Sequence, residues 1–277
     1  MTFQAGLFDG KVAFISGGGT GIGAGIARGL GRLGARVAIA SRKPEHIEPA
    51  AAGLTAELGH EVLGLTMDLR DRNATARAVD ATLARFGRID VLVNNGGGQF
   101  LSPAAAIRHN GFDAVIQTNL VGTWNLTRAV ADATMLQHGG AILNITMLTN
   151  VFPGMAHSVA ARAGVEAMTR TLAVEWAAAG IRLNCLAPGY VNSSGLRNYP
   201  PDSGLIESMV SRVPLKRLAT VAEIADFATF LLSPAATYCT GQTYVVDGGK
   251  SLWGDTWPIP DPGELTRPPI PREPWES

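Results

Sequence analysis

The chain has 277 residues, of which 46% are hydrophobic and 17% are charged. This composition is typical of a globular protein with a buried sheet, and it excludes a disordered or fibrous chain. Lysine plus arginine equals aspartate plus glutamate at 23 each, so no bulk field attracts nucleic acid or an anionic membrane, and we expect neither partner.

The cysteines and the two ends of the sequence indicate which covalent or metal sites and which cellular compartment to expect. Cys185 and Cys239 have no companion cysteine or histidine pair at metal-binding spacing, so we predict no metal site and no disulfide. The N-terminus has no basic region followed by a long apolar run, and no later apolar stretch reaches membrane-spanning length without polar breaks. The final residues PWES are not a peroxisomal address, so we expect a cytoplasmic protein.

Apolar runs alternate with longer segments of helical spacing along the chain. They predict seven strands, at 11–16, 36–40, 61–67, 90–95, 140–146, 182–188 and 243–249. Because helical segments such as 23–34 and 163–180 separate them, the repeating unit is βα and the sheet is parallel. The predicted fold is α/β, a doubly wound (Rossmann) and mainly parallel seven-stranded sheet with helices on both faces, in one catalytic domain over residues 1–253.

Two stretches break this rhythm. Residues 190–219 combine Gly, Pro and Ser with an amphipathic GLIESMV, which is typical of a substrate cover or of an ordinary long loop. Residues 254–277 are too rich in proline for a helix or a central strand and predict an extended tail. Trp257 and Trp275 favour docking of this tail on a neighbouring subunit over a free disordered tail.

A glycine-rich loop, SGGGTGIG, follows the first predicted strand and precedes a helix. Glycines let the backbone turn tightly and approach a pyrophosphate, while the helix N-terminus offers N–H groups to the negative charge. This strand–turn–helix context predicts dinucleotide binding. The residues expected to contact the cofactor here are Ser16, Gly17, Gly19, Gly21, Ile22 and Gly23.

The end of the second strand indicates which dinucleotide binds. Enzymes that prefer NAD tend to place an acidic residue there, whereas this chain has Ser41, Arg42 and Lys43. Because arginine can hold a phosphate through two N–H bonds, we predict NADP(H), with a solvated basic turn as the alternative.

Two later loops extend the expected cofactor site. Asp68 and Leu69 follow the third strand and are expected at the adenine. The run NNGGG closes the fourth strand, and its glycines indicate backbone passing close to a ligand, with turn formation as the alternative. From this run we expect cofactor contacts at Asn95, Gly96 and Gly97.

Taken together, these motifs resemble the short-chain dehydrogenase/reductase family over roughly residues 8–250. The matching pieces are SGGGTGIG, NNGGG, NLVGT with Asn119, NIT at 144–146, LAPG at 186–189 and DGG at 247–249. The resemblance implies a doubly wound sheet, a nicotinamide cofactor and a homodimer or homotetramer. It adds further expected cofactor contacts at Asn119, Arg162, Pro188, Gly189 and Val191.

The chain departs from the usual catalytic set of that family, which is an Asn, a Ser and a Tyr-x-x-x-Lys. Asn119 is present, but Met147 occupies the Ser position and the Tyr-x-x-x-Lys frame runs from Ser158 to Arg162. The apparatus for carbonyl reduction is therefore absent. The segments 94–104, 157–165 and 231–252 resemble peroxisomal-type trans-2-enoyl-CoA reductases and, more distantly, 2,4-dienoyl-CoA reductases. This resemblance implies NADPH-dependent saturation of a 2-enoyl-CoA.

The altered residues fit that chemistry. Hydride addition at Cβ of an enoyl thioester leaves an enolate, which needs hydrogen-bond donors at its oxygen more than a strong acid. We expect Ser158 to be such a donor, Arg162 to fix the nicotinamide ribose and Asn119 to complete the catalytic set. The substrate pocket is expected to include Gln99, Met147, His157 and Tyr199, with His157 either structural or the Cα proton donor.

Basic residues near the predicted cover are candidates for contact with CoA phosphates, namely Arg197, Arg212, Lys216 and Arg217.

Two alternative functions stay open. A carbonyl reductase or alcohol dehydrogenase is one alternative, with another residue such as Tyr199 as the acid. A catalytically silent NADP(H)-binding module is the other.

Overall fold

A computed structural model describes residues 3–150, 152–198, 204–254 and 257–259. The strands are β1 (Val12–Ser16), β2 (Arg36–Ser41), β3 (Val62–Thr66), β4 (Val91–Asn94), β5 (Gly140–Ile145), β6 (Ile181–Pro188), β7 (Val191–Asn192), β8 (Ala219–Thr220) and β9 (Thr243–Val246). The α-helices are α1 (Gly21–Arg32), α2 (Pro44–Leu58), α3 (Arg72–Phe86), α4 (His109–Ile116), α5 (Gly122–Val130), α6 (Leu136–His138), α7 (Ala156–Glu175), α8 (Leu205–Ser211) and α9 (Val221–Leu232).

The central sheet has seven strands in the order β3-β2-β1-β4-β5-β6-β9, and every adjacent pair is parallel. All five residues of β1 are buried, as expected of a strand covered on both faces. Alternate residues enter two separate cores: Ala13 and Ile15 pack on one face, and Val12 and Phe14 on the other. The predicted doubly wound parallel sheet is therefore confirmed.

The strand order reverses beside β1, which pairs with β2 on one side and with β4 on the other. In open parallel sheets the loops leave such a point in opposite directions, so a crevice forms at the carboxyl ends of the strands. The loops after β1, β2, β3 and β4 therefore meet at one edge of the sheet. These are the loops in which the sequence places its cofactor motifs.

Helix α7 is tied to this edge by a buried chain of polar side chains. Asn94 Nδ2 donates to Asn144 Oδ1 at 2.8 Å, and Asn144 Nδ2 donates to Thr169 Oγ1 at 2.8 Å. Thr169 lies on α7, Asn94 is the last residue of β4, and Asn144 lies in β5. The contacts fix the position of α7 relative to the crevice.

Residues 190–220 contain a small parallel sheet that the sequence did not predict. Val191 pairs with Ala219 and Asn192 with Thr220. The two strands join the ends of the predicted cover, and α8 lies between them in the chain. Strands of two residues carry no readable alternation, so periodicity could not find them. Tyr199 lies outside the described residues.

The predicted tail also lies mostly outside the described residues, Trp275 included. Within the described part, Trp253 Nε1 donates to the carbonyl of Trp257 at 2.9 Å. No described helix has the length and apolar character needed to cross a bilayer. The described residues also contain no cluster of three or more potential metal ligands.

Candidate active site

The glycine-rich loop adopts a conformation that requires glycine. Gly17 has a φ of +65° and Gly21 a φ of +53°, in the left-handed region that side chains disfavour. A Cβ on Gly23 would collide with the carbonyl oxygen of Gly17. The N-cap residue of α1, Thr20, makes no side-chain capping bond, so no side chain of that residue competes with an anion at this helix N-terminus.

The other residues predicted to contact the cofactor in this loop pack against neighbouring elements. A Cβ on Gly19 would lie 3.4 Å from the side chain of Ala50 in α2, and Ile22 packs against the core. A Cβ on Gly21 would lie 3.3 Å from Ser194 Oγ, so the segment 190–219 reaches the loop.

Ser16 and Asn95 join the loops after β1 and β4. Ser16 Oγ accepts the N–H groups of Asn95 at 3.1 Å and of Gly96 at 3.0 Å. Asn95 Nδ2 donates to the carbonyl of Gly17 at 3.0 Å. The two predicted cofactor residues thus act on the backbone, holding both loops in position around the crevice.

A cavity of about 270 Å³ opens at the carboxyl ends of β1, β2, β3 and β4. Ser41, Arg42 and Lys43 lie at its rim together with His46, which the sequence analysis did not single out. Among the described residues, no carboxylate lies within ion-pairing distance of Arg42, while Lys43 Nζ lies 3.9 Å from Glu45. Three basic side chains beside a cradle of glycines fit the adenosine half of a dinucleotide with an extra phosphate.

Asp68 and Leu69 also line this cavity. The Asp68 carboxylate accepts hydrogen bonds from the Arg70 guanidinium, at 2.6 Å from Nη2, and these hold the pKa of Asp68 below its usual range. The Leu69 side chain is buried, and its carbonyl accepts from Asn125 Nδ2 at 3.0 Å. Each residue thus has a partner at the cavity wall, Arg70 for the carboxylate of Asp68 and Asn125 for the carbonyl of Leu69.

Asn119 is fully buried in a wide π-helical turn, Gln117–Val121, between α4 and α5. Its Oδ1 accepts the N–H of Gly98 at 2.9 Å, and its Nδ2 donates to the carbonyl of Gly98 at 2.9 Å. Its amide therefore fixes the loop after β4. The direct catalytic role predicted for Asn119 stays a prediction.

Arg162 is the most unusual side chain of the site. Only 8% of it is exposed, its Nη1 has no hydrogen-bond partner, and no carboxylate pairs with it among the described residues. Burial lowers the pKa of its guanidinium to about 10, so it still carries a charge at neutral pH. A Cβ on Gly97 would collide with this guanidinium. A buried, unpaired cation is costly, and it points to a ligand that accepts its hydrogen bonds.

Ser158 lies four residues before Arg162 on the same face of α7. It is fully buried, and its Oγ has no partner. His157 is also fully buried: its Nδ1 accepts the N–H of Ser158 at 2.7 Å, and its Nε2 has no partner. Its ring meets the ring of Phe100 edge-on with centroids 4.2 Å apart.

Glu166, one turn beyond Arg162, was missed by the sequence analysis. Its Oε2 accepts from Thr149 Oγ1 at 3.1 Å, and its Oε1 is buried without a partner. Thr149 and the partly buried Met147 belong to the loop after β5, so Glu166 helps to position that loop. The four-residue spacing of Ser158, Arg162 and Glu166 was the available signal.

Other predicted residues lie at different places. Pro188 ends β6, Val191 is buried, and a Cβ on Gly189 would lie 2.7 Å from the Cα of Asp247, so these residues form a tightly packed corner. Gln99 is exposed on the loop after β4. The ligand contacts predicted for these four residues stay predictions.

The basic residues proposed for CoA phosphates are partly engaged elsewhere. Arg217 bonds both oxygens of Glu223, at 2.8 and 2.6 Å, beside the capping box of α9. Lys216 Nζ donates to the carbonyl of Ser211 at 2.8 Å and lies 4.8 Å from the ring centroid of Trp253. Arg212 is exposed, and its predicted contact with CoA phosphates stays a prediction.

A parallel sheet with a glycine-rich loop after β1 and basic residues after β2 is typical of a nicotinamide-dinucleotide oxidoreductase. A family model described as enoyl-(acyl carrier protein) reductase matches residues 17–251. The chain belongs to the short-chain dehydrogenase/reductase family. Its cofactor is NADP(H), as predicted from Arg42 and Lys43.

Two curated relatives and one solved structure illustrate the similarity. A peroxisomal 2,4-dienoyl-CoA reductase [(3E)-enoyl-CoA-producing] of Pongo abelii is 43% identical over 249 residues, covering 89% of this chain and 85% of the relative. A probable 2,4-dienoyl-CoA reductase [(2E)-enoyl-CoA-producing] of Bacillus subtilis is 37% identical, covering 90% and 99%. The structure of a citronellol catabolism dehydrogenase of Pseudomonas aeruginosa PAO1 has a TM-score of 0.80 at 40% identity, covering 90% of this chain and 98% of that chain.

Proposed function

We propose that the protein uses NADPH to saturate a carbon–carbon double bond conjugated to the carbonyl of an acyl-CoA thioester, with the 2,3 double bond of a trans-2-enoyl-CoA as the first candidate. One observation carries the proposal. Where the family usually has Tyr and Lys, this chain has Ser158 and Arg162, both buried and each with an unpartnered polar atom.

The chemistry of the two reactions differs at the oxygen. Reduction of a ketone needs an acid that protonates an alkoxide, and neither serine nor arginine is a suitable acid near neutral pH. Bound NADPH supplies a hydride, which Cβ of a 2-enoyl thioester or Cδ of a 2,4-dienoyl thioester accepts. The electron pair of the double bond then moves to the thioester oxygen, and a proton taken up at Cα completes the reduction.

The residues of α7 suit an enolate. Ser158 Oγ is a free donor, and a donor of this type contributes about 3–4 kcal/mol to stabilising a developing oxyanion. Arg162 holds positive charge next to Gly97, at the strand edge where a nicotinamide ribose would lie. Because burial leaves its pKa at about 10, its role is electrostatic and positional, with no proton transferred.

A conjugated 2,4-dienoyl-CoA is the second candidate, because the curated relatives carry that substrate in their names. Its thioester oxygen takes up the negative charge in the same way. Protonation at Cα of the extended enolate leaves a 3-enoyl product, whereas protonation at Cγ leaves a 2-enoyl product. Both substrates therefore need the same donors on α7. The homodimer or homotetramer expected from the family also stays a prediction.

The test is NADPH consumption with three panels: trans-2-enoyl-CoA thioesters, 2,4-dienoyl-CoA thioesters, and matched ketones and aldehydes. Turnover on the thioester panels alone supports the proposal, and mass spectrometry of the products in D₂O locates the added proton. Turnover on the ketones and aldehydes, or on no panel, contradicts it. Ser158→Ala and Arg162→Ala should bind NADPH and lose turnover.

A further inference from the structure

The first turn of α7 concentrates hydrogen-bond donors that have no partner in the described structure. Helix α7 is 20 residues long and begins at Ala156, and the side chain of the preceding residue, Met155, makes no capping hydrogen bond. His157 Nε2 and Ser158 Oγ, on consecutive residues of this turn, are both buried and unpartnered. A helix N-terminus favours negative charge, so these donors lie where an anion is stabilised.

The tautomer of His157 follows from its backbone contact. Its Nδ1 accepts the N–H of Ser158 at 2.7 Å, one of the N–H groups that the start of a helix leaves free. Nδ1 therefore carries no proton in this arrangement, and in the neutral ring the proton is on Nε2. The contact turns His157 into a donor with its N–H at the far side of the ring.

The loop after β4 leads from the cofactor edge to this turn. Gly97 lies against the Arg162 guanidinium, and Phe100 lies against the His157 ring. Ser102 N donates to the carbonyl of Gly154 at 2.9 Å, just before α7. The loop therefore runs along the first two turns of the helix, with Arg162 at one end and His157 at the other.

We infer that the first turn of α7 is an oxyanion site, in which His157 Nε2 and Ser158 Oγ both donate to the thioester oxygen of the substrate. The inference rests on the proposed function and adds a second protein donor to it. His157 is thus a catalytic residue that acts through its N–H and transfers no proton to Cα. An unpartnered donor in a fully buried ring gains its partner when substrate binds.

Two substitutions separate the donor from the cap. His157→Asn keeps an acceptor for the N–H of Ser158 and loses the distal N–H, whereas His157→Gln carries an amide N–H at about the distance of Nε2. We expect kcat to fall about 100-fold in H157N, with the KM for NADPH and the melting temperature unchanged. H157Q should stay within about tenfold of the wild type.

A second readout does not depend on turnover. A 3-oxoacyl-CoA bound with NADP⁺ is not reduced, and its enolate has its own ultraviolet absorption. We expect the wild type and H157Q to increase the enolate fraction of the bound ligand, and H157N to bind it with little enolate. Equal enolate fractions and equal kcat in all three proteins overturn the inference.

The alternative to a substrate contact is the edge-on contact between the His157 and Phe100 rings, which Phe100→Leu removes. If the effect of H157N on kcat persists in the F100L background, the donor serves the substrate, and if it vanishes there, the inference is overturned. Failure of the proposed function looks different. A wild type inactive on every enoyl and dienoyl thioester overturns that function, while its enolate spectrum still decides the oxyanion site.

Discussion

Gly97 lies directly against the guanidinium of Arg162, so closely that a Cβ at this position would collide with it. We expect Gly97→Ala to displace Arg162 and to lower kcat/KM about 10- to 100-fold, because a small displacement of a positioning group weakens every contact that it makes. Steady-state kinetics on the best thioester substrate provide the measurement.

Gly98→Ala is the matched control, because a Cβ there meets no atom within 4 Å. It should leave kcat/KM within about threefold of the wild type, as surface substitutions without a specific contact usually do. Similar losses in both variants would contradict the assigned contact.

The charge of Arg162 makes a prediction about stability. Burial lowers its pKa to about 10 in the folded protein, so below pH 10 the fold holds a desolvated cation at a cost. Arg162→Met should therefore raise the free energy of unfolding of the cofactor-free protein, on the order of 1–3 kcal/mol at pH 7, while abolishing turnover. Urea unfolding monitored by circular dichroism measures this.

The pH dependence has a defined sign. Above about pH 10 the folded protein releases the Arg162 proton, whereas the unfolded chain keeps it up to the ordinary arginine pKa. The unfolded state then binds more protons, so the free energy of unfolding of the wild type rises and its difference from that of R162M becomes smaller.

Arg182→Met is the control for the stability effect of R162M. Arg182 donates to the carbonyls of Leu231, Cys239 and Ser233, so its replacement should lower the free energy of unfolding.

Asn119 offers a separate test of the loop after β4. Asn119→Asp keeps the acceptor for the N–H of Gly98 but sets a carboxylate against its carbonyl oxygen. We expect a loss of about 1–3 kcal/mol in the free energy of unfolding and a parallel loss of turnover. Gln117→Ala, an exposed change in the same turn, should alter neither, and equal melting temperatures for both variants would contradict the role.

Cofactor preference tests the rim of the cavity. Arg42→Ala should raise the KM for NADPH about 10- to 100-fold, because a charge-assisted hydrogen bond contributes about 1.5–3 kcal/mol, and should leave the KM for NADH unchanged. Arg72→Ala is an exposed control elsewhere on the surface. Equal changes for NADPH and NADH would place Arg42 outside the phosphate site.

The fold was predictable because burial on both faces gives the strands continuous apolar runs, such as residues 12–15 of β1. The glycine loop was predictable because only glycine tolerates its backbone. Contacts between residues that are far apart in the chain leave no comparable pattern in the sequence. The bonds from Asn119 to Gly98, the ion pair of Arg217 with Glu223 and the place of His46 at the cavity rim all depend on tertiary packing.

Helix α7 divides its duties along its length. Its later turns anchor the helix, since Thr169 bonds to Asn144 and Leu172 and Ala173 pack into the core, whereas Ser158 and Arg162 near its start contribute no apolar packing to either core. Substitutions at Ser158 and Arg162 therefore remove no apolar contact from either core. The polar pair near the start of α7 and the contacts that anchor its later turns are thus separate, so the chemistry of this helix can be altered at Ser158 and Arg162 while its anchor stays intact.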